Sequence, residues 1–540
     1  MEKKYKSIQK AIVTYALFLI TALFSKVVIA QIDSEFNLSE VNSSNGIILN
    51  GSTESDYAGK SVSNAGDVNG DGFDDLVIGA YWADPNKNEL AGSTYVVFGS
   101  EGGFSEPFNL ADLNGSNGFI IHGNNSEDRS GFSVSHAGDF NGDGFDDLLI
   151  GAAFASPNNF YRAGSAYIVF GSDQGFPNPL ELSGLNGING ITINGFDSHD
   201  YVGSSVSKAG DINGDGLDDI IIGAPGFLTS NGSAFVIFGN DTNSQSTIDL
   251  SDLDGVNGFQ LYGGFARGAI GISVSQAGDM NGDGIDDLLI GGSNSTLAEG
   301  ENRSGAGFIV FGSQIAFPAS FPLSSLDGSN GFKIIGDSSD GKFGRSVSNV
   351  GDFNGDGIDD VVIGAPETEP DGFSNTGTAY VIFGSRTPFT ELFFVGDIVE
   401  GSGVVINGIR SSFTGKSVST AGDFNADGLK DIIIGAEQGP GETGALTYRA
   451  GRSYIIYGSK QPRPNPIVLL EITSKDGLEL IGTNTDDNSG SSVSYAGDVN
   501  GDDIDDIIVG APGFDANGSV DAGRSYILFG NDYIFENNFE

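Results

Sequence analysis

The sequence predicts an all-β chain folded as a seven-bladed β-propeller, closed by an N-terminal strand that completes the last blade. Three observations predict it. A nine-residue acidic loop recurs seven times, starting at Asp67, Asp139, Asp211, Asp279, Asp352, Asp423 and Asp498, at spacings of 72, 72, 68, 73, 71 and 75 residues. The same strand signals flank every loop, and no stretch beyond the N-terminal leader keeps a helical period. The first strand signal of the chain has the character of a fourth strand yet precedes the first loop, which leaves it free to close the ring and cover an open edge.

The elements follow in chain order. Lys3, Lys4, Lys6 and Lys10 precede an apolar run from Ala11 to Phe24, followed by Val28-Ile29-Ala30. A basic start, a short apolar core and small residues at the end describe a secretory leader over residues 1–30. Lys26 interrupts the run short of the roughly 20 apolar residues that a spanning helix needs, so the expectation is a secreted or surface protein without a transmembrane segment after cleavage. Residues 31–44 read as a lead-in, 45–530 as the propeller and 531–540 as a tail. The closing strand is Asn45-Gly46-Ile47-Ile48-Leu49-Asn50-Gly51. A small-residue strand precedes each loop, as in Ser61-Val62-Ser63, and small side chains suit the crowded axis of a ring. A mostly apolar strand follows each loop and ends in Gly-Ala, as in Ile220-Ile221-Ile222-Gly223-Ala224. Next comes an aromatic strand ending Phe98-Gly99, Phe170-Gly171, Phe238-Gly239, Phe311-Gly312, Phe383-Gly384, Tyr457-Gly458 or Phe529-Gly530, its ring expected between blades. A short fourth strand closes the unit, as in Gly118-Phe119-Ile120-Ile121-His122. Gly, Asn and Asp fill the turns. Four short antiparallel strands per unit, seven times over, suit a propeller.

The loops concentrate hard oxygen donors on a tight backbone, the donor set of a calcium ion. Position 1 is Asp67, Asp139, Asp211, Asp279, Asp352, Asp423 and Asp498; position 3 is Asn69, Asn141, Asn213, Asn281, Asn354, Asn425 and Asn500. Position 5 is Asp71, Asp143, Asp215, Asp283, Asp356, Asp427 and Asp502; position 9 is Asp75, Asp147, Asp219, Asp287, Asp360, Asp431 and Asp506. Up to seven Ca²⁺ ions are expected. Two like charges about 4 Å apart repel by roughly 4 kcal/mol at an effective dielectric near 20, so an empty loop of three converging carboxylates is strained. An EF-hand starts alike but needs a Glu at position 12 and flanking helices; here position 12 of the first loop is Ile78 and both flanks are strands. Mg²⁺ prefers a small octahedral shell. Zn²⁺ seeks His or Cys, and the chain has three His (His122, His136, His199) and no Cys. Two loops depart from the pattern. Ala426 and Lys430 stand at positions 4 and 8 of the sixth, and Asp503 replaces the position 6 Gly of the seventh. These two sites are expected to bind most weakly.

The Phe-Gly pairs and the Gly-Ala-Pro elements at Gly223-Ala224-Pro225, Gly364-Ala365-Pro366 and Gly510-Ala511-Pro512, set around an Asp-rich loop, resemble the FG-GAP repeats of the integrin α-subunit propeller. The resemblance spans residues 45–530. It implies that position 7 (Phe73, Phe145, Leu217, Ile285, Ile358, Leu429, Ile504) lends its carbonyl to the metal, with the side chain directed into the blade. It also implies that partners bind the face opposite the metal loops. That face would be built by the segments between second and third strands, which include Tyr81-Trp82, Phe160-Tyr161-Arg162 and Tyr448-Arg449.

With 72 acidic against 25 basic side chains and a net charge of −47, the chain is not a nucleic-acid binder. Its 38% hydrophobic content, with 39 Phe and 16 Tyr, is ample for packed cores. No GxSxG, P-loop or HExxH motif is present, and the paired Asp74-Asp75 recurs in five other loops, which marks it as loop architecture. Asp487-x-Ser489-x-Ser491 resembles a metal-adhesion signature, but its serines belong to the repeated inner strand. The expected role is a monomeric, non-enzymatic adhesion or ligand-binding module with an extracellular protein or glycan ligand. A phospholipase- or esterase-like hydrolase and a purely structural matrix protein are the alternatives, since FG-GAP repeats also accompany hydrolase domains.

Overall fold

The computed structural model describes residues 34–101, 107–226, 231–241, 245–263, 268–295, 303–370, 372–441 and 449–530. The leader 1–30, the tail 531–540 and Tyr448 lie outside the described residues. Seven sheets radiate from one axis, and the only helical elements among the described residues are three-residue 3-10 turns. In the first blade, strands Ser61–Gly66, Asp75–Ala80, Ser93–Val97 and Gly118–His122 run antiparallel from axis to rim. The small-residue strand is innermost, as its composition predicts, and the seven inner strands enclose an axial cavity of about 500 Å³.

Hydroxyls on the inner strands join the blades in a closed circle. Ser61 Oγ accepts the N–H of Val134 at 3.1 Å, and Ser133, Ser205, Ser273, Ser346 and Ser417 repeat the bond to the next blade. Ser492 Oγ returns it to Val62 at 3.2 Å. An inner strand has a neighbour on one side only, so its outward N–H groups need a partner; the Ser-Val-Ser pattern supplies one. Bulk is excluded at the same level. A Cβ at Gly79 would stand 2.1 Å from the Gly131 carbonyl of the next blade, so Gly-Ala ends the second strand where two backbones meet.

The closing strand Gly46–Asn50 pairs antiparallel with Arg524–Leu528 of the last blade, Ile47 opposite Ile527. Each sheet also carries a fifth, parallel strand that the four-strand reading misses. It comes from the next unit: Leu180–Glu181 joins the first blade beside Ile121 and His122. A 3-10 turn follows each of these strands and buries an aliphatic side chain, such as Leu110, Leu182 or Leu250. The expected lead-in does the same service, because Glu35–Asn37 pairs in parallel with Gly477–Ile481 of the sixth blade. The N-terminal segment thus fastens two blades. Seven apolar clusters lie between neighbouring blades. One joins Phe98 and Phe119 of the first to Val134, Leu148 and Ile150 of the second, which sets the Phe-Gly rings where the sequence places them.

Candidate metal loops and the opposite face

Each acidic loop spans the turn from the inner to the second strand. In the first, Asp67 folds back over its own turn: Oδ1 accepts the N–H groups of Gly70 (2.7 Å) and Asp71 (3.0 Å), and Oδ2 accepts that of Gly72 (2.9 Å). Asn69 and Asp71 bond each other, side chain to side chain, at 3.0 Å. Asp75 is fully buried, with Oδ1 accepting the Gly99 N–H at 2.9 Å and Oδ2 the Val68 N–H at 3.1 Å. The bond from the Phe-Gly glycine to the position 9 carboxylate recurs in all seven units. It explains why the loop and the Phe-Gly pair travel together.

Among the described residues, no three His, Cys, Asp or Glu side chains converge as a ready-made metal shell. Positions 1 and 9 turn their oxygens onto backbone N–H groups, and position 3 is an amide. The donor set nevertheless fits an oxygen-seeking divalent cation on two counts. Burial pushes Asp75 up to about 9, and the charges of Asp71 and Asp67 act in the same direction against the opposing N–H bonds. Asp219, Asp287, Asp360 and Asp506 rise to about 8 for the same reasons. Asp147 Oδ2 is buried with only the Phe140 backbone N–H turned toward it, too loosely to make a full hydrogen bond, and a buried carboxylate oxygen so poorly satisfied is costly unless something pairs with it.

Position 8, read from the sequence only as loop architecture, links the loops. Asp146 Oδ2 accepts the backbone N–H of Asp67 at 3.0 Å, and Asp218, Asp286 and Asp359 serve Asp139, Asp211 and Asp279 in turn. Asp505 serves Asp423, and Asp74 closes the circle on Asp498 at 2.9 Å. Lys430 breaks the series at the Asp352 junction and pairs instead with Asp505 at 2.9 Å. At position 7, Ile285, Ile358 and Ile504 lie against the Phe-Gly glycine of their own unit, whereas Phe73, Phe145, Leu217 and Leu429 correct an expectation. They reach across to the neighbouring loop, where a Cβ on Gly70 would meet the Phe145 ring at 2.4 Å. The glycine at position 4 leaves room for that ring, so the side chain covers the adjacent turn and does not enter its own blade.

The two departing loops keep the shared backbone under strain. Ala426 has φ 55° and Asp503 φ 64°, where the other loops have glycine. A left-handed alanine costs about 1–2 kcal/mol. Ala426→Gly is therefore expected to stabilise the chain by about 1 kcal/mol, read as a higher urea midpoint at unchanged m-value; an unmoved midpoint would refute the strain.

The opposite face carries a different kind of regularity. The residue two positions before the glycine that leads into each inner strand is non-glycine and left-handed in all seven blades: Tyr57, Arg129, Tyr201, Ala269, Lys342, Phe413 and Asn488, with φ between 51° and 60°. The backbone repeats while the side chain changes. Across blades one to three these residues and their neighbours form an aromatic arc. Ring centroids lie 5.0 Å apart for Tyr57–Trp82, 6.0 Å for Trp82–Tyr81, 5.4 Å for Tyr81–Phe132, 5.7 Å for Phe132–Phe154 and 5.5 Å for Phe154–Tyr201. Arg129 lies over Phe154 at 4.4 Å and over Trp82 at 5.8 Å, and Arg162 lies over Tyr161 at 5.1 Å. Trp82 and Tyr161 remain 36% and 53% exposed. The sequence had singled out Tyr81, Trp82, Tyr161 and Arg162; it missed Tyr57, Arg129, Phe132 and Tyr201, which come from the segments entering the inner strands.

A family model described as the FG-GAP repeat matches residues 58–97, 130–169, 202–237, 343–382, 414–456 and 489–528. The fourth blade is outside these matches, and there Gly291-Gly292-Ser293 stands in place of Gly-Ala-Pro. Similar proteins include integrin alpha pat-2 of Caenorhabditis elegans, 31% identical over 256 residues, covering 44% of this chain and 18% of that protein. Phosphatidylinositol-glycan-specific phospholipase D of Dictyostelium discoideum is 31% identical over 228 residues, 39% of this chain and 22% of that protein. Integrin alpha-PS5 of Drosophila melanogaster is 32% identical over 178 residues, 32% of this chain and 16% of that protein. The matched region is thus about a fifth of each relative's length.

Proposed function

This chain is an FG-GAP repeat protein with an integrin-α-like propeller, and we propose on that premise that it is a secreted, calcium-stabilised module that binds an extracellular protein or glycan on the face opposite its acidic loops. The observation that carries the reading is the contrast between the two faces. The loop face repeats one residue pattern seven times, as a shared structural task requires. The opposite face holds a left-handed backbone position constant while its side chains vary, five of them half-buried and Tyr201 and Ala269 buried, and backbone strain of this kind clusters at functional surfaces. Exposed Trp, Tyr and Arg are the residue types that dominate binding hot spots.

In the loops, positions 1, 3, 5 and 9 would hold the cation, with the carbonyl of position 7. Bound calcium supplies positive charge that offsets the buried position 9 carboxylate and its two acidic neighbours. Asp75 and its counterparts would then couple the loop to the Phe-Gly end of the third strand, and Asp74 and its counterparts would couple each loop to the preceding one. Metal content and blade order are linked through these bonds.

Hydrolysis is the second reading, favoured by the relatives named as phospholipase D. One experiment separates the two. A protein and glycan array probed with calcium and again with chelator, alongside ester and phosphodiester substrates, is expected to give a calcium-dependent hit and no turnover. Trp82→Ala and Arg129→Ala are each expected to weaken that hit at least tenfold. Turnover would replace the binding reading with the hydrolase one, and binding untouched by both substitutions would move the ligand site off the arc.

A further inference from the structure

We propose that the axial mouth on the face opposite the acidic loops is an oxyanion site, built by Lys60, Arg345 and Lys416 and taking a carboxylate or sulfate group. The inference concerns residues outside the aromatic arc and holds whether or not the arc binds a partner. The three cations occupy one repeat position, the residue just before the Ser-Val-Ser inner strand, in blades one, five and six. The same position in blades two, three, four and seven holds Phe132, Ser204, Ile272 and Ser491. The ring brings blade seven between six and one, so Arg345, Lys416 and Lys60 line one side of the mouth with Ser491 among them. Lys60 Nζ donates to Ser491 Oγ at 2.8 Å, across the blade boundary.

In a chain with a net charge of −47, three cations at the end of one narrow channel are an unusual investment. Their countercharges do not balance them. Glu437 takes Lys416 at 3.3 Å, and Glu367 is exposed at the rim. The Arg345 guanidinium makes no hydrogen bond or ion pair among the described residues, although protein surrounds it closely enough to lower its pKa by desolvation, with Glu437 and Glu367 opposing. Lys60 is lowered by desolvation as well; Glu437 opposes that shift, while Lys416 and Arg345 add to it. Three cations facing two carboxylates leave a local positive excess that favours an incoming anion. Arg presents a planar fork suited to two oxygens of one group, and lysine adds a mobile point charge. Lys60, Arg345 and Lys416 are each half-buried and so keep part of their surface open to solvent, above the cavity of about 500 Å³ that the Ser and Val strands enclose. A charged cleft with low-dielectric walls concentrates counter-ions at its entrance.

Isothermal titration of the calcium-loaded full chain with sodium sulfate, sodium galacturonate and neutral galactose tests the site. Sulfate or galacturonate is expected to bind with one-to-one stoichiometry and galactose to give no heat; the stronger of the two anions identifies the oxyanion. Arg345→Gln and Lys60→Met are each expected to weaken binding at least tenfold, while Lys475→Met, an exposed lysine elsewhere, leaves it unchanged. Glu437→Gln removes the competing carboxylate and is expected to tighten binding severalfold. If Arg345→Gln does not fold, the Lys60 and Glu437 variants decide. Binding by neither anion overturns the proposal, as does equal binding in the Arg345 or Lys60 variant. Weaker binding in Glu437→Gln also overturns it, because the cations would then serve only to hold that glutamate.

Discussion

Chelation with EDTA is expected to lower the melting temperature of the propeller by about 10 °C. Each ion held at ten times its dissociation constant contributes about 1.4 kcal/mol, so seven loops approach roughly 10 kcal/mol. A unit of this size unfolds with an entropy on the order of 1 kcal/mol per kelvin, which converts that energy to the stated shift. The effect should depend on pH. All the position 9 carboxyls have folded pKa values raised above their unfolded ones, and Asp75, Asp219, Asp287, Asp360 and Asp506 reach about 8 or 9. Their contribution in the metal-free protein is full below the unfolded value near 4 and is lost as pH rises through 8 to 9. Calorimetry with and without EDTA at pH 5 and pH 8 should therefore show the larger gap at pH 8. Asp67→Ala should lose more of that gap than Asp423→Ala, whose loop already carries a strained alanine and a nearby lysine. Identical melting with and without chelator would mean that the loops are self-capped turns, held by the N–H bonds that Asp67 already accepts.

A chain shortened to begin at Ser52 is expected to lose cooperative melting and to associate. The missing segment supplies the outer strand of the last blade and the edge strand of the sixth. Leu38, Val41, Ile47 and Leu49 are all buried there, and each such side chain is worth about 1.5–3 kcal/mol. Removal also bares the backbone edge of Arg524–Leu528, a ready template for pairing with another chain. A graded version isolates the packing: Leu49→Ala, at 0% exposure, should cost about 2–5 kcal/mol without baring an edge. Size-exclusion and thermal melts of both variants check this; a shortened chain that melts like the full one would show that the ring closes without the segment.

Much of the molecule was legible because its information is periodic. Ser61-Val62-Ser63, the Gly-Ala ends and Phe98-Gly99 recur at a spacing that a ring alone explains, and the displaced fourth strand at Asn45 pointed to its closure. The recurring pattern from Leu110 to Leu113, with its counterparts Leu182 to Leu185 and Leu250 to Leu253, was equally periodic. It signals the 3-10 turn after each fifth strand, but a strand of two or three residues is too short to show alternation. The face opposite the loops was the hardest to read. Tyr57, Arg129 and Tyr201 carry no glycine to announce a left-handed backbone, and their neighbours in the arc come from other blades.

The sequence alone determined the repeat, the blade count, the closing strand and the oxygen-rich loops, because each is a local pattern that needs no partner to be recognised. Tertiary structure decided the rest. Only the closed ring brings Asp74 to Asp498 or sets Ser492 against Val62, more than 400 residues apart in each case. Only the ring gathers Lys60, Arg345 and Lys416 at one mouth. These are contacts between blades, and their geometry comes from radial packing that no single repeat encodes.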